Sequence, residues 1–145
     1  MISKSCKYAI RATVFIASKA KEKIKVGVKE IAEEIEAPEA FTGKILQTLN
    51  KNNIVTSLKG PYGGFYCDES QLDLPIIDVV STIDGMDVFT NCVFGLQQCS
   101  NDHPCPMHVE YSKTRDQMFT SFKNTTIRSL ADSLNSGSSF LKNPQ

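Results

Sequence analysis

The sequence predicts a mainly α fold with a small β-hairpin wing: a winged helix-turn-helix domain plus a long C-terminal dimerisation helix. Three observations carry that expectation. Two short amphipathic stretches, residues 28–35 and 38–52, meet at a proline; the Gly-rich turn Gly60-Pro61-Tyr62-Gly63-Gly64 follows between two short alternating runs; and large apolar residues recur at Met107, Tyr111, Met118 and Phe122. At 145 residues, 41% hydrophobic and 22% charged, the composition is that of one ordinary globular domain.

In chain order, residues 3–20 read as a helix capped by Ser3 or Ser5, with Tyr8, Ile10, Ala12, Val14, Phe15 and Ala17 as its apolar surface. Lys21–Lys25 is a charged turn. Val28, Ile31, Ala32 and Ile35 follow the i, i+3, i+4, i+7 pattern of a helix with one buried face. Pro38 ends that helix, since it disfavours helical geometry at Ala37, and opens the next, Pro38–Asn52, which carries Phe41, Ile45, Leu46 and Leu49. In a helix-turn-helix the second helix enters the major groove with its N-terminal residues near base edges, so Glu39, Ala40, Thr42 and Lys44 are the candidates. An αα-hairpin of any helical protein would show the same two stretches. The following hairpin favours DNA. Ile54–Lys59 and Phe65–Asp68 read as strands, and a tip of Gly60, Pro61, Tyr62, Gly63 and Gly64 is slim enough to approach a phosphate backbone or minor groove, with Lys59 as counter-charge.

Leu74–Asp84 is expected as a further helix, then a polar loop, then a longer helix from Pro106 to about Lys123. The spacing of Met107, Tyr111, Met118 and Phe122 by four, seven and four forms a narrow seam suited to a second copy of the chain; packing within one chain is the alternative. Thr125 is positioned to cap a last helix through Ile127, Leu130 and Leu134. The organisation is thus 1–84 as the winged head, 85–108 as a cysteine-rich loop, 106–134 as dimerisation helices and 135–145 as a flexible tail.

The formal net charge of zero hides a division. Residues 1–59 carry eleven Lys or Arg against six acids, a balance of +5, and residues 60–145 carry the opposite. A basic head on an acidic body fits nucleic-acid binding, although chance imbalance on solvated faces gives the same numbers. Apolar runs are short and Lys7, Arg11 and Lys19 interrupt the first, so neither a membrane span nor a signal peptide is expected. That makes the location cytoplasmic, where thiols stay reduced.

The densest chemistry lies in Asn91–His108, NCVFGLQQCSNDHPCPMH, with three of the five cysteines and both histidines. Cys92, Cys99 and Cys105 are separated by six and five residues, and His108 follows after two. Thiolate and imidazole suit iron–sulfur clusters, zinc and copper(I). A structural zinc site usually shows short Cys pairs, which are absent, though Cys3His remains open. A disulfide framework, buried inert thiols and thiol redox chemistry are the other readings. An enzyme is not expected, because two histidines confined to one loop leave little acid–base equipment.

The segments KYAIRA (Lys7–Ala12), VKEIAEEI (Val28–Ile35) and FTGKILQTLNKNNIVTSLKGPYGGF (Phe41–Phe65), with the three-cysteine loop, resemble the Rrf-two family of bacterial winged-helix regulators in its iron–sulfur cluster-binding branch. The resemblance spans nearly the whole chain. It implies a homodimeric transcriptional regulator, foremost a repressor, on a palindromic operator of double-stranded DNA. Cys92, Cys99 and Cys105 would hold the cluster. Some members take a fourth ligand, Asp or Glu, from the first helix, at a position that is Lys7 here; a His one turn later in some is Arg11 here. Others use a His three residues after the last Cys, and His108 matches. This implies a [2Fe–2S] cluster, with [4Fe–4S] as the alternative, responding to iron, redox state or nitric oxide. The chain departs from the family in its longer first Cys gap, in Lys59 for a common Arg, and in Gly43 where cluster-binding members carry Glu. A metal-free or zinc-bound relative sensing thiol oxidation or a small molecule is the alternative function. Cys6 and Cys67, outside the loop, are expected in the core.

Overall fold

Ser3 starts the first helix, α1 (Lys4–Ser18), by accepting a hydrogen bond from the Cys6 N–H at 3.0 Å. Its own N–H and hydroxyl both donate to the Asp84 carboxylate, which ties this end of α1 to the residues before the cysteine loop. The computed structural model describes residues 1–143; positions 144 and 145 of the expected tail lie outside the described residues. Small residues such as Ala9 and Ala12, fully buried, let α1 act as the central strut. Against it pack α2 (Val28–Ile35), α3 (Glu39–Lys51), α5 (Ile77–Ile83) and α8 (Ile127–Asn135). Ile16, Ile31, Ile35, Leu46, Leu49 and Ile127 fill the space between them and are fully buried.

The helix-turn-helix forms as expected. Glu36 closes α2 in the left-handed conformation, φ 55°, and Pro38 in extended geometry leads into α3. Both strands are shorter than the sequence suggests: β1 is Thr56–Leu58 and β2 is Gly64–Tyr66, paired antiparallel with Ser57 opposite Phe65. Ile54 and Val55 turn into the core instead of the ladder. Asp68 leaves the ladder to cap α4 (Glu69–Leu72), a short helix the sequence reading omitted. Buried Gln71 accepts from the Thr56 hydroxyl and the Asp68 N–H, both at 2.9 Å, and donates to the Asn53 carbonyl at 3.2 Å, so its polar atoms are satisfied. Val26 and Phe65 exchange backbone hydrogen bonds of 3.0 and 2.8 Å, which anchors the hairpin to the head.

Two expectations shift at the joint with α8. The helix expected from Leu74 begins at Ile77, because Leu74–Ile76 pairs with the chain entering α8: Ile76 N–H donates to the Thr125 carbonyl and Ile127 N–H to the Leu74 carbonyl. Thr126, not Thr125, therefore caps α8, accepting from the Ser129 N–H at 3.1 Å. The Thr125 hydroxyl donates back to Ser121. Arg128 reaches from α8 to Glu69 and Asp73, at 2.6 and 3.0 Å. Beyond α5 lie α6 (Asp87–Thr90), also unanticipated, and α7 (His108–Asn124). Buried Phe89 stands edge-on to Phe119 and Phe122 of α7, in a second small core with Cys6, Ile77 and Val80. In the tail, the Leu141 carbonyl accepts from the Arg11 guanidinium at 2.9 and 3.2 Å. Among the described residues no helix is long and apolar enough to cross a membrane.

Candidate functional site

The head presents an exposed hairpin tip and an exposed face of α3. Glu39, Ala40 and Lys44 are exposed on it, as the sequence reading required. Thr42 is not. It is fully buried, and its hydroxyl donates to the Pro38 carbonyl at 2.9 Å. It lies seven residues before Leu49 and four before Leu46, on the inward stripe of α3, so the count from the helix start placed it on the wrong face. Gln47, three residues beyond Lys44, is exposed on the same side of α3. In the wing Lys59, Gly60, Pro61 and Tyr62 are exposed, Tyr62 at 91%, while Gly63 and Gly64 are half-buried. A Cβ on Gly63 would lie 1.9 Å from the Leu58 carbonyl oxygen, and one on Gly64 2.9 Å from that of Val26. Those glycines set how tightly the tip can fold.

The expected dimer seam divides. Met107 is exposed and Tyr111 half-buried, but Met118 and Phe122 pack, with Phe119, against the chain's own second core. Arg115, between them, lies over the Tyr111 ring and donates to the Thr90 and Asn91 carbonyls at 2.5 and 2.7 Å. It thus clasps the chain just before Cys92 onto α7. No sequence signal beyond its spacing from Tyr111 marked it.

The cysteine loop converges. The sulfurs of Cys92, Cys99 and Cys105 all lie within 4.8 Å of one another, half-buried, with no disulfide between them. The four expected donors form two close pairs: Cys92 Sγ to Cys105 Sγ at 3.5 Å, and Cys99 Sγ to His108 Nδ1 at 3.2 Å. Tetrahedral coordination with metal–sulfur bonds of about 2.3 Å puts neighbouring ligands about 3.8 Å apart, so the pairs match one metal's edge. Backbone N–H groups of Phe94 and Cys105 point at the sulfurs of Cys92 and Cys99, both at 3.4 Å, as thiolates require. The Leu96 and Phe94 N–H groups, with the neighbouring thiols, hold the Cys92 thiol down to about 7; lost solvation and the shared proton push Cys105 up. Burial drives Cys6 and Cys67 up to about 12, which makes them inert core thiols.

His103 stands on a separate turn. Ser100 and His103 exchange two backbone hydrogen bonds of 3.2 Å, making a tight turn whose tip is Asn101-Asp102, and the His103 side chain is exposed. His108 begins α7, its N–H bonded to the Cys105 carbonyl at 3.1 Å. Its Nε2 lies 2.8 Å from Asn101 Oδ1, a contact nothing in the sequence announced.

Residues 2–133 match the Rrf2 family, described as an iron-dependent transcriptional regulator. A chain of Aquifex aeolicus (strain VF5) named as an HTH-type transcriptional regulator is 30% identical over 132 residues, 90% of each protein. IscR of Pectobacterium carotovorum is 25% identical over 126 residues, 87% of this chain and 76% of that one. Among solved structures, CymR, the global cysteine regulator of B. subtilis, superposes with a TM-score of 0.75 at 22% identity, over 91% of this chain and 96% of that one. The T. potens IscR structure gives 0.69 at 20% identity, over 94% and 88%. Those two likenesses concern the fold: a helical body with a two-stranded wing. On the match along nearly its whole length, this chain belongs to the Rrf2 family of transcriptional regulators.

Proposed function

We propose that the chain is a homodimeric regulator whose affinity for a palindromic operator is set by an iron–sulfur cluster held by Cys92, Cys99, Cys105 and His108. The observation that carries this is the convergence of three sulfurs within 4.8 Å in a polar loop with no share in either core. Two close donor pairs, one of sulfurs and one of sulfur and imidazole, suit a two-iron centre in which each iron takes two protein ligands. Such a centre supplies one-electron chemistry and lability toward oxidants and nitric oxide.

The chain's own residues connect the loop to DNA. Arg115 holds Thr90 and Asn91 against α7, and Phe119 and Phe122 hold α7 against Phe89. A change in the Cys92–Cys105 loop therefore bears on α7. No residue of that 17-residue helix is buried, so a large face stays available to a second copy. Two α3 helices must sit about 34 Å apart to read two half-sites, and a tilt of α7 alters that spacing. Lys44 and Gln47 then face the major groove and its flanking phosphates, and Lys59 with Gly60, Pro61 and Tyr62 faces the backbone or minor groove.

Anaerobic purification with iron, sulfide and zinc counts tests the reading. Two irons and two sulfides per chain, with visible absorbance lost in Cys92→Ala, Cys99→Ala and Cys105→Ala, are expected. Stoichiometric zinc and a colourless protein would overturn it. A second reading, a thiol switch, has its own observation: Cys92 and Cys105 sulfurs 3.5 Å apart, with the Cys92 thiol held down to about 7. Peroxide would convert those two thiols to a disulfide with release of two waters. A mass loss of two hydrogens per chain at Cys92–Cys105, together with lost operator binding in metal-free protein, would select it.

A further inference from the structure

We infer that Asn101 is a positioning residue: its side-chain carbonyl fixes the His108 ring with the proton on Nε2, leaving Nδ1 as the atom that binds metal. The ring is gripped at both nitrogens, by Asn101 Oδ1 at 2.8 Å from Nε2 and by Cys99 Sγ at 3.2 Å from Nδ1. In neutral imidazole one nitrogen donates and the other accepts, so whichever partner takes the proton decides which nitrogen is free. A carbonyl facing Nε2 takes it there. Nδ1, turned toward the three sulfurs, keeps its lone pair.

The turn that presents Asn101 is built for placement. Ser100 and His103 pair through two backbone bonds of 3.2 Å, and the Ser100 hydroxyl accepts a further one from the His103 N–H at 3.1 Å. Asn101 thus stands on a closed reverse turn, and His108 stands on the first turn of α7. Metal-bound histidines generally donate their second N–H to an oxygen that orients the ring and tunes its basicity. An amide does so without adding negative charge to a site that already gathers three thiols. This assignment rests on the iron–sulfur reading only for the identity of the metal; the tautomer is a property of the chain itself.

The test therefore has a metal-free arm and a loaded arm. In the full-length, cluster-free protein with 15N-labelled histidine at pH 8.5, nitrogen chemical shifts report the tautomer directly. The His103→Gln variant assigns the two rings. His108 should carry its proton on Nε2, and Asn101→Leu, which keeps bulk and removes the acceptor, should redistribute it. Asn101→Asp should restore the Nε2 proton. In anaerobically loaded protein, Asn101→Leu should lose visible absorbance to a chelator about 10- to 100-fold faster than the unmodified chain. Asn101→Asp, which keeps the acceptor, should lose the cluster at about the unmodified rate. A proton on Nδ1 in the unmodified chain, or an Asn101→Leu variant with unaltered shifts and unaltered loss rate, would overturn the inference. If the chain holds no cluster, the loaded arm is read with Co2+ through its thiolate charge-transfer band. Tighter Co2+ binding by the unmodified chain than by Asn101→Leu would then uphold Asn101 while removing the iron–sulfur reading; equal binding would overturn both.

Discussion

The winged head and the segment from Asn91 to Thr126 are held together by different means. In the head and the α8 helix packed on it, side chains distant in sequence close on one another: Ile16, Leu46, Leu49 and Ile127 are fully buried in a single cluster. From 91 to 126 no residue is buried at all, and Val93, Phe94 and Leu96 are exposed at 45%, 56% and 53%. The head specifies its own shape through packing. The loop and long helix hold theirs through hydrogen bonds, one arginine clasp and contacts at the helix's far end, and leave donor atoms and a helix face for something added.

Thiol chemistry gives the largest test of that contrast. In cluster-free protein at pH 7, iodoacetamide should label Cys92 about 10^4-fold faster than Cys6 or Cys67, since half of the first and a minute fraction of the others is thiolate. The Cys92 rate should be half-maximal near its pKa of about 7 and level off above it, because a lowered pKa means the reactive form is already present at neutrality. Uniform labelling would erase the distinction. Stability comes next. Leu46→Ala or Leu49→Ala should cost about 2–5 kcal/mol in urea unfolding, and Phe94→Ala or Leu96→Ala no more than about 0.5 kcal/mol. A comparable loss at Phe94 would make the loop part of the core.

Met118→Lys sits on the boundary, half-buried against Phe89 and its neighbours. It should weaken self-association by about ten- to a hundredfold in sedimentation, with operator binding falling alongside. Unaltered association would mean that the seam serves one chain only. The smallest effect belongs to the head's surface: Lys59→Gln and Lys44→Gln should each reduce the salt slope of operator binding by about 0.9. An unaltered slope in both moves the phosphate contacts elsewhere.

The two regions were also unequally legible in the sequence. Helix α2 appears at the bounds its apolar spacing gives, because Gly27 and Pro38 punctuate it and every inward position is Ile, Ala or Val. The start of α5 was misread, because Leu74–Ile76 continues an apolar run while its backbone is engaged by Thr125 and Ile127, a pairing of distant segments that local pattern does not carry. Thr42 shows the same limit at one residue: a hydroxyl suggests a polar contact, and here it is satisfied by the helix's own Pro38 carbonyl. The capping box of Asp68 and Gln71, by contrast, is a local signal that the sequence carries openly. In the loop, residue types singled out the thiols and the imidazole, yet the sorting of donors into pairs and the placing of Asn101 against His108 depend on turns formed by the folded chain.

The Cys92 and Cys105 thiols lie only thirteen positions apart along the chain. Closing so short a loop costs little chain entropy, and the cost rises only as the logarithm of length. Nothing in either buried cluster waits on that closure. If the proposed cluster is held there, folding and loading are separable in time: the polypeptide completes its body first and the cluster follows. The same separation makes the event reversible. On that reading a molecule stripped of its cluster stays folded and can be filled again, and one protein reports on successive changes in supply.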